Sequence, residues 1–344
     1  MAARQVTLAE VAEHAGVSLA TASRVLNGST RQVGDELRDR VRGAADDLGY
    51  LPNASAQALA RNSSVLVGLV VHDIADPYFS GIAAGVTRVA EQAGLVVALG
   101  TTGRDADREV HLVTALRAHR PRALVVAGSR TTDRHAVGRL AAELAAFADQ
   151  GGRVACVSQA RLGVDAVVPA NRGGARALAR ELVGLGHRRF AVLAGPPDLV
   201  VARDRVAGFR AGLADAGVGG PTALHCAFSR DGGYAAVADL LAARTGATCV
   251  FAVNDVMAAG AVAALRHRGV RVPEDVSVAG FDDIPTMRDL VPGLSTVRLP
   301  LEEMGERAAR LVLDDACGPP RTVRVAGEVV LRASTSSPTG SGLR

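Results

Sequence analysis

The sequence predicts a small all-α helix-turn-helix headpiece followed by a larger α/β body of parallel sheets with helices on both faces. Three observations carry that prediction. The 344 residues exceed what one compact core holds, so two or three domains are expected. Apolar residues in the first fifty recur at helical spacing only. From residue 65 onward, short apolar runs alternate with amphipathic stretches, a rhythm that calls for parallel strands joined by helices.

In the headpiece, Thr7 stands three residues before Glu10, a capping box that starts a first helix. Leu8, Val11, Ala12 and Ala15 form its apolar stripe. Gly16 ends it, and Ser18 is placed to cap a second helix, whose Ala22, Val25 and Leu26 face inward. A third helix begins near Asp35, with Leu37, Val41, Ala44, Ala45 and Leu48 on one face, and stops at Gly49. Residues 1–49 form this unit. Residues 50–62, YLPNASAQALARN, read as a hinge: Pro52 blocks continuation of the third helix, and the following stretch has too few apolar groups to stand alone as a helix.

The body is expected over 63–335. The run VLVGLVV reads as a buried strand, LVVALG, ALVVAG, RFAVLAG, CVFAV and VSVAG as further strands, and two sheets fit the length better than one. The low-complexity tail 336–344 is expected to be disordered.

Composition narrows the function. The net charge is +4, and no Lys occurs, so every basic side chain other than His is Arg. Such a charge permits a nucleic-acid partner without proving one. The local pattern is more telling, because residues 14–34 carry Arg24 and Arg31 and no acid. Four widely spaced Cys suggest reduced thiols in a cytoplasmic protein, with neither zinc site nor disulfide framework. No leader-like region and no membrane-spanning apolar run are read. Enzyme signatures are missing: no GxGxxG follows a strand, no P-loop, GxSxG or HExxH occurs, and the eight His lack metal spacing. The expectation is a non-enzyme with no cofactor and no metal.

The segment VTLAEVAEHAGVSLATASRVLNG places two helices around a tight AGVS turn, with small Ala15 allowing close crossing. That is helix-turn-helix geometry, which presents the second helix to a major groove. Its outer face would carry Leu19, Ala20, Ser23, Arg24 and Asn27. Arg24 has the fork that matches guanine O6 and N7, and Leu19 and Ala20 suit a thymine methyl. Ser18, Thr21, Ser23 and Asn27 are short polar groups suited to phosphates, and Thr7 is a further DNA-binding candidate. The competing reading is an ordinary helical hairpin with a wet face.

This segment resembles the headpiece of the lactose/galactose repressor family, in which a T-L-x-x-V-A-x-x-A-G-V-S-x-x-T-V-S-R-V-L-N pattern is typical. Ala22 stands where a larger apolar residue is usual, and Gly34 where a capping Ser is expected. The hinge is similar to the family's Y-x-P-N-x-x-A-x-x-L segment. That likeness implies that Leu59 wedges into the minor groove on operator DNA, with packing of the linker as the alternative. DPYFSGIAAGV, RVAGFRAGL, AVNDVMAAGAVAAL and VPEDVSVAGFDDIP carry the likeness through residues 65–335. It implies a two-lobed, periplasmic-binding-protein-like sensor whose chain crosses between lobes near 161, 294 and 321. The N-terminal lobe would then hold about 63–161 and 295–320, and the C-terminal lobe about 162–294 and 321–335.

The resemblance places a small-molecule effector on Tyr78, Phe79, Arg205, Asn254 and Asp282, with Asp73 and Gln159 as weaker candidates. Asp282 has two acceptors for hydroxyls, Asn254 a donor and an acceptor, and Arg205 a bidentate fork. Tyr78 and Phe79 offer faces for a sugar ring or a base. Asp255 reads as a helix N-cap, Asp283 as a cap or salt-bridge residue, Phe79 alternatively as core, and Arg205 alternatively as a solvated charge beside Asp204. The implied function is a ligand-responsive repressor that binds a pseudo-palindromic operator as a homodimer, away from any membrane, with a sugar as effector. A nucleoside or nucleobase effector is the alternative, and a pure small-molecule-binding protein a more distant one.

Overall fold

The computed structural model describes residues 6–27, 33–50, 64–314, 318–339 and 342–343. The chain divides into two compact units at Val65.

The first unit holds α1 (Leu8–His14), α2 (Leu19–Asn27) and α3 (Asp35–Asp47). Thr7 and Glu10 make the expected reciprocal capping box at the start of α1. Gly16, at φ +61°, turns the chain, and the Ser18 hydroxyl accepts the Thr21 N–H at 3.1 Å to open α2. Val11, Ala12, Ala15, Ala22, Val41, Ala44 and Ala45 form a small core, with Val25 and Leu26 packed at its margin. Gly34 leaves α3 without a side-chain cap. Leu37, expected inside, is exposed, because the core begins a turn later at Val41 and does not reach the first turn. Tyr50, assigned to the hinge, packs against this core, and its N–H donates to Ala45 O. The rest of the hinge, Leu59 included, lies outside the described residues.

The second unit has two parallel sheets. The first lobe's sheet runs in the order β2 (Val96–Thr101), β1 (Leu66–Val71), β3 (Ala123–Ala127), β4 (Arg153–Val157), β5 (Asp165–Pro169), β11 (Thr322–Val325). The second lobe's sheet runs β7 (Thr222–Leu224), β6 (Phe190–Leu193), β8 (Cys249–Ala252), β9 (Ser277–Ala279). An antiparallel ribbon of β10 (Thr296–Arg298) and β12 (Glu328–Val330) links them. Every pairing within the two sheets is parallel.

This topology moves the lobe boundaries. The crossing expected near 161 comes after Pro169, because β5 stays in the first sheet beside β4. The crossing expected near 321 comes after Val325, because β11 returns to that sheet beside β5. Strand pairing between residues more than 150 positions apart leaves no local signal to place such a boundary. The middle crossing, expected near 294, is made by β10 at Thr296–Arg298.

The tail also departs from expectation. Leu343 is buried, its backbone bonded to Gly246 and Ala247, and Ser336 and Thr339 bond to Ser277 and Glu274. One apolar side chain and backbone bonds to the second lobe hold residues that composition alone assigns to disorder.

Candidate ligand cleft and nucleic-acid interface

Between the two sheets lies a narrow, partly enclosed cleft that opens to solvent. Its walls come from the carboxyl ends of the parallel strands, where such folds place ligands. The first lobe supplies His72 after β1, Arg104 after β2, Ser129 after β3, Ser158 after β4, and Asp76, Tyr78 and Phe79 at the start of α4 (Pro77–Gln92). The second supplies Asn171, Phe228, Asn254 after β8, Asp282 after β9, and Arg205 from the early turns of α8 (Val200–Asp215; α5 to α7 are Ala106–Ala118, Arg134–Ala148 and Asn171–Gly184).

Arg205 is the hub of the second lobe's wall and is almost fully buried. Its Nη2 and Nη1 donate to the two carboxylate oxygens of Asp282 at 2.7 and 3.2 Å. Its Nε donates to Asn171 Oδ1 at 2.9 Å and its Nη1 to Val253 O at 2.7 Å. The guanidinium also lies 3.9 Å from the Phe281 ring centre. Arg205 is therefore not a solvated charge. Its bidentate fork grips Asp282 while the side chain lines the cleft, and its neighbour Asp204 pairs with Arg172. Burial pushes the Asp282 carboxyl up, and Arg205 pulls it back. Asp282 holds φ +122°, a strained position for a side-chain-bearing residue, stabilised by its backbone bonds to Val297 and Leu299.

Asn254, not Asp255, is the N-cap of the helix Asp255–His267, and its Oδ1 accepts the Met257 N–H at 2.9 Å. Its amide NH2 is left as the group that can donate into the cleft. Asp255 instead accepts from Thr296 Oγ1 and Ile284 N–H. Asp283 pairs with Arg288, Arg298 and Arg332, as a salt-bridge reading expects.

Phe79 does both things read for it: it lines the cavity and belongs to the core, set edge-on to His72 and Tyr78. Asp73 is exposed and spends Oδ1 on the Ala75 N–H, outside the cavity wall. Gln159 is buried but also off the wall. Its Oε1 accepts from Arg130 N–H and Ser158 Oγ, so it braces the loops that carry Ser129 and Ser158.

Sequence reasoning missed His72, Asp76, Arg104 and Phe228. His72 Nε2 faces Ser129 O at 3.3 Å and must donate, so Nδ1 accepts from the Thr102 hydroxyl at 2.8 Å. Burial lowers its pKa to about 4 and keeps the ring neutral. A side chain at Gly128 would collide with that ring. The available signal was positional: each missed residue lies within a few positions of a strand's carboxyl end or a helix start. At one rim the lobes are stitched together by Thr132 N–H to Asp198 O, Val200 N–H to Arg130 O, and Val201 N–H to Ser129 Oγ.

In the headpiece, Ser18, Leu19, Ala20 and Arg24 are exposed along α2, with Thr21 and Ser23 half-buried beside them. Ser18 and Thr21 bond to each other through their hydroxyls at 2.9 Å, and Thr7 is engaged in its capping box. Asn27 closes α2, its side chain lying outside the described residues.

Residues 7–53 match the model of bacterial regulatory proteins, lacI family, and residues 179–335 that of a periplasmic binding protein-like domain. The regulator GalS of Salmonella typhimurium is 38% identical over 317 residues, 91% of each chain. The chain belongs to the lacI family. A solved complex of the regulator CelR with cellobiose shares 31% identity and a TM-score of 0.70, covering 96% of this chain and 100% of that one. The lac repressor dimer bound to operator and the anti-inducer ONPF shares 28% identity and a TM-score of 0.84, covering 97% and 100%. This lacI-family protein is a DNA-binding transcriptional regulator and not an enzyme. Among the described residues no helix is long and apolar enough to cross a membrane.

Proposed function

We propose that this protein is a cytoplasmic repressor that binds a pseudo-palindromic operator as a homodimer and releases it when a sugar fills the cleft. The carrying observation is that one chain joins an exposed recognition-helix face to an interlobe cavity walled by paired carboxylate and guanidinium groups. Arg24 reads a guanine, and Leu19 and Ala20 touch base methyls. Ser18, Thr21, Ser23 and Asn27 contact backbone phosphates, Thr7 lies at the DNA-facing start of the first helix, and Leu59 wedges the minor groove at the operator's centre. One headpiece offers too little area for tight binding, and a two-fold dimer doubles it.

Asp282, the Asn254 amide, Tyr78 and Phe79 hold the sugar, while Arg205 orients Asp282 from behind. Carboxylate and amide groups suit hydroxyls better than a flat base, and the related CelR has been solved with cellobiose. The sugar acts by its different affinity for two lobe arrangements, with a coupling of about 1–3 kcal/mol between cleft and operator. Operator affinity measured by fluorescence anisotropy, with and without a panel of sugars and nucleosides, tests this. Release by a sugar is the expected result. Release only by a nucleoside overturns the sugar assignment, and an absence of operator binding overturns the repressor reading.

A further inference from the structure

The helix α8 begins without a cap of its own. Its N-cap position is Leu199, whose side chain accepts no hydrogen bond. The first N–H groups of a helix have no partner inside it, and burying them unpaired is costly. Here the other lobe supplies the partners. Val200 N–H donates to Arg130 O at 3.0 Å, and Val201 N–H donates to Ser129 Oγ at 3.1 Å. Thr131 and Leu199 pair as an isolated antiparallel bridge, and Thr132 N–H closes it on Asp198 O at 2.8 Å. Two other helices of the second lobe, α9 (Arg230–Ala242) and α10 (Asp255–His267), are capped from their own sequence by Ser229 and Asn254.

The capping atoms are held from behind. Arg130 is buried in the first lobe together with Glu109 of α5. Its Nη1 and Nη2 donate to the two Glu109 carboxylate oxygens at 2.7 and 2.8 Å. Its Nε and Nη2 also donate to Gly128 O, at 3.2 and 2.9 Å, and its backbone N–H to Gln159 Oε1 at 2.9 Å. The Ser129 hydroxyl donates to Arg130 O at 3.2 Å, which leaves its oxygen free to accept from Val201. A buried ion pair adds little net stability over apolar residues of the same volume, because both charges lose their water. What the pair does supply is geometry: a planar fork held by a carboxylate and a carbonyl fixes the backbone that carries it.

The capped helix carries Arg205, which orients Asp282 in the cleft wall. We propose that Ser129 and Arg130 of the first lobe act as the N-cap of α8 in the second, with Glu109 as their positioning residue. The turns that present Arg205 are then ordered by contact between the lobes, whatever ligand the cleft takes.

Hydrogen exchange of the ligand-free full chain, followed by mass spectrometry, tests this. An amide that loses its acceptor at a helix start opens readily to water. Ser129→Ala removes the acceptor of Val201. The paired replacement Glu109→Leu with Arg130→Met removes the brace while keeping the space filled. In both variants, peptides spanning 199–204 should exchange about tenfold faster than in wild type. The first turns of α9 and α10, which hold their own caps, should keep their wild-type rates, and the melting temperature should stay near that of wild type. Wild-type exchange at 199–204 in both variants overturns the cap between lobes. Acceleration spread equally over all three helices also overturns it, because these residues would then be ordinary supports of stability. If the paired variant does not fold, Ser129→Ala alone decides, since it removes one hydroxyl and no core volume.

Discussion

The cleft and the headpiece use polar side chains in opposite ways. In the cleft, Arg205, Asp282, Asn254 and His72 are buried and bonded to one another or to neighbouring protein groups. On the headpiece, Leu19, Ala20 and Arg24 lie exposed over a core built from small residues and a few Val side chains. A buried polar site must satisfy itself, so it is rigid and sensitive to the loss of any one member. The exposed side chains of α2 lie outside the small core, so they can be changed at little cost to the fold.

The sharpest way to break this contrast is Arg205→Ala. Removing one partner of a buried pair leaves Asp282 uncompensated, and a loss of about 3–5 kcal/mol is expected in the unfolding transition of the sensor, measured in urea. The paired replacement of Arg205 and Asp282 by Met and Leu should recover most of that stability while leaving no sugar response. A single variant as stable as wild type would mean the cleft is not self-satisfied.

Acid should act on the same region. His72 is neutral in the folded cleft down to about pH 4 and takes a proton near pH 6.5 once unfolded. Its contribution is present above pH 6.5 and is lost as the pH falls toward 4, because there the unfolded chain binds the extra proton. The expected loss is about 3 kcal/mol across that window. Comparing urea midpoints of wild type and His72→Gln at pH 7 and pH 4.5 isolates it. A parallel pH response in both proteins would remove His72 as the cause.

On the headpiece the largest expected change is in binding rather than folding. Arg24→Ala should cost about 1–3 kcal/mol on the specific operator and far less on random DNA, with its melting temperature nearly unchanged. Equal weakening on both DNAs would make Arg24 a phosphate contact. Thr7→Ala should remove the capping box and cost about 1 kcal/mol of headpiece stability, visible by circular dichroism of the helical signal. If that variant melts like wild type, the first helix is held by its core contacts alone.

The same contrast explains what could be read in advance. The headpiece was legible because its information is local: a cap at Thr7, a turn at Gly16, and apolar residues three and four apart. Leu37 escaped because its stripe continues past the end of the core. The cleft was legible only in part. Asp282, Asn254, Tyr78, Phe79 and Arg205 all reach its wall, yet the partner of Arg205 was not visible, since residues 205 and 282 meet only through the second sheet. Asp73 and Gln159 sit near the right strands but turn to the backbone and to neighbouring loops.

By itself, then, the sequence determined the two-unit plan, the helix-turn-helix, the strand–helix alternation and the exposed face of α2, because each depends on contacts within about one or two helical turns or on strand-length runs of apolar residues. Tertiary structure alone decided that β5 and β11 pair across more than 150 residues, that the tail docks on the second lobe, and that Ser129 and Arg130 meet the start of α8. Those outcomes depend on which strand ends face one another after both sheets have formed, and chain spacing carries no record of that geometry.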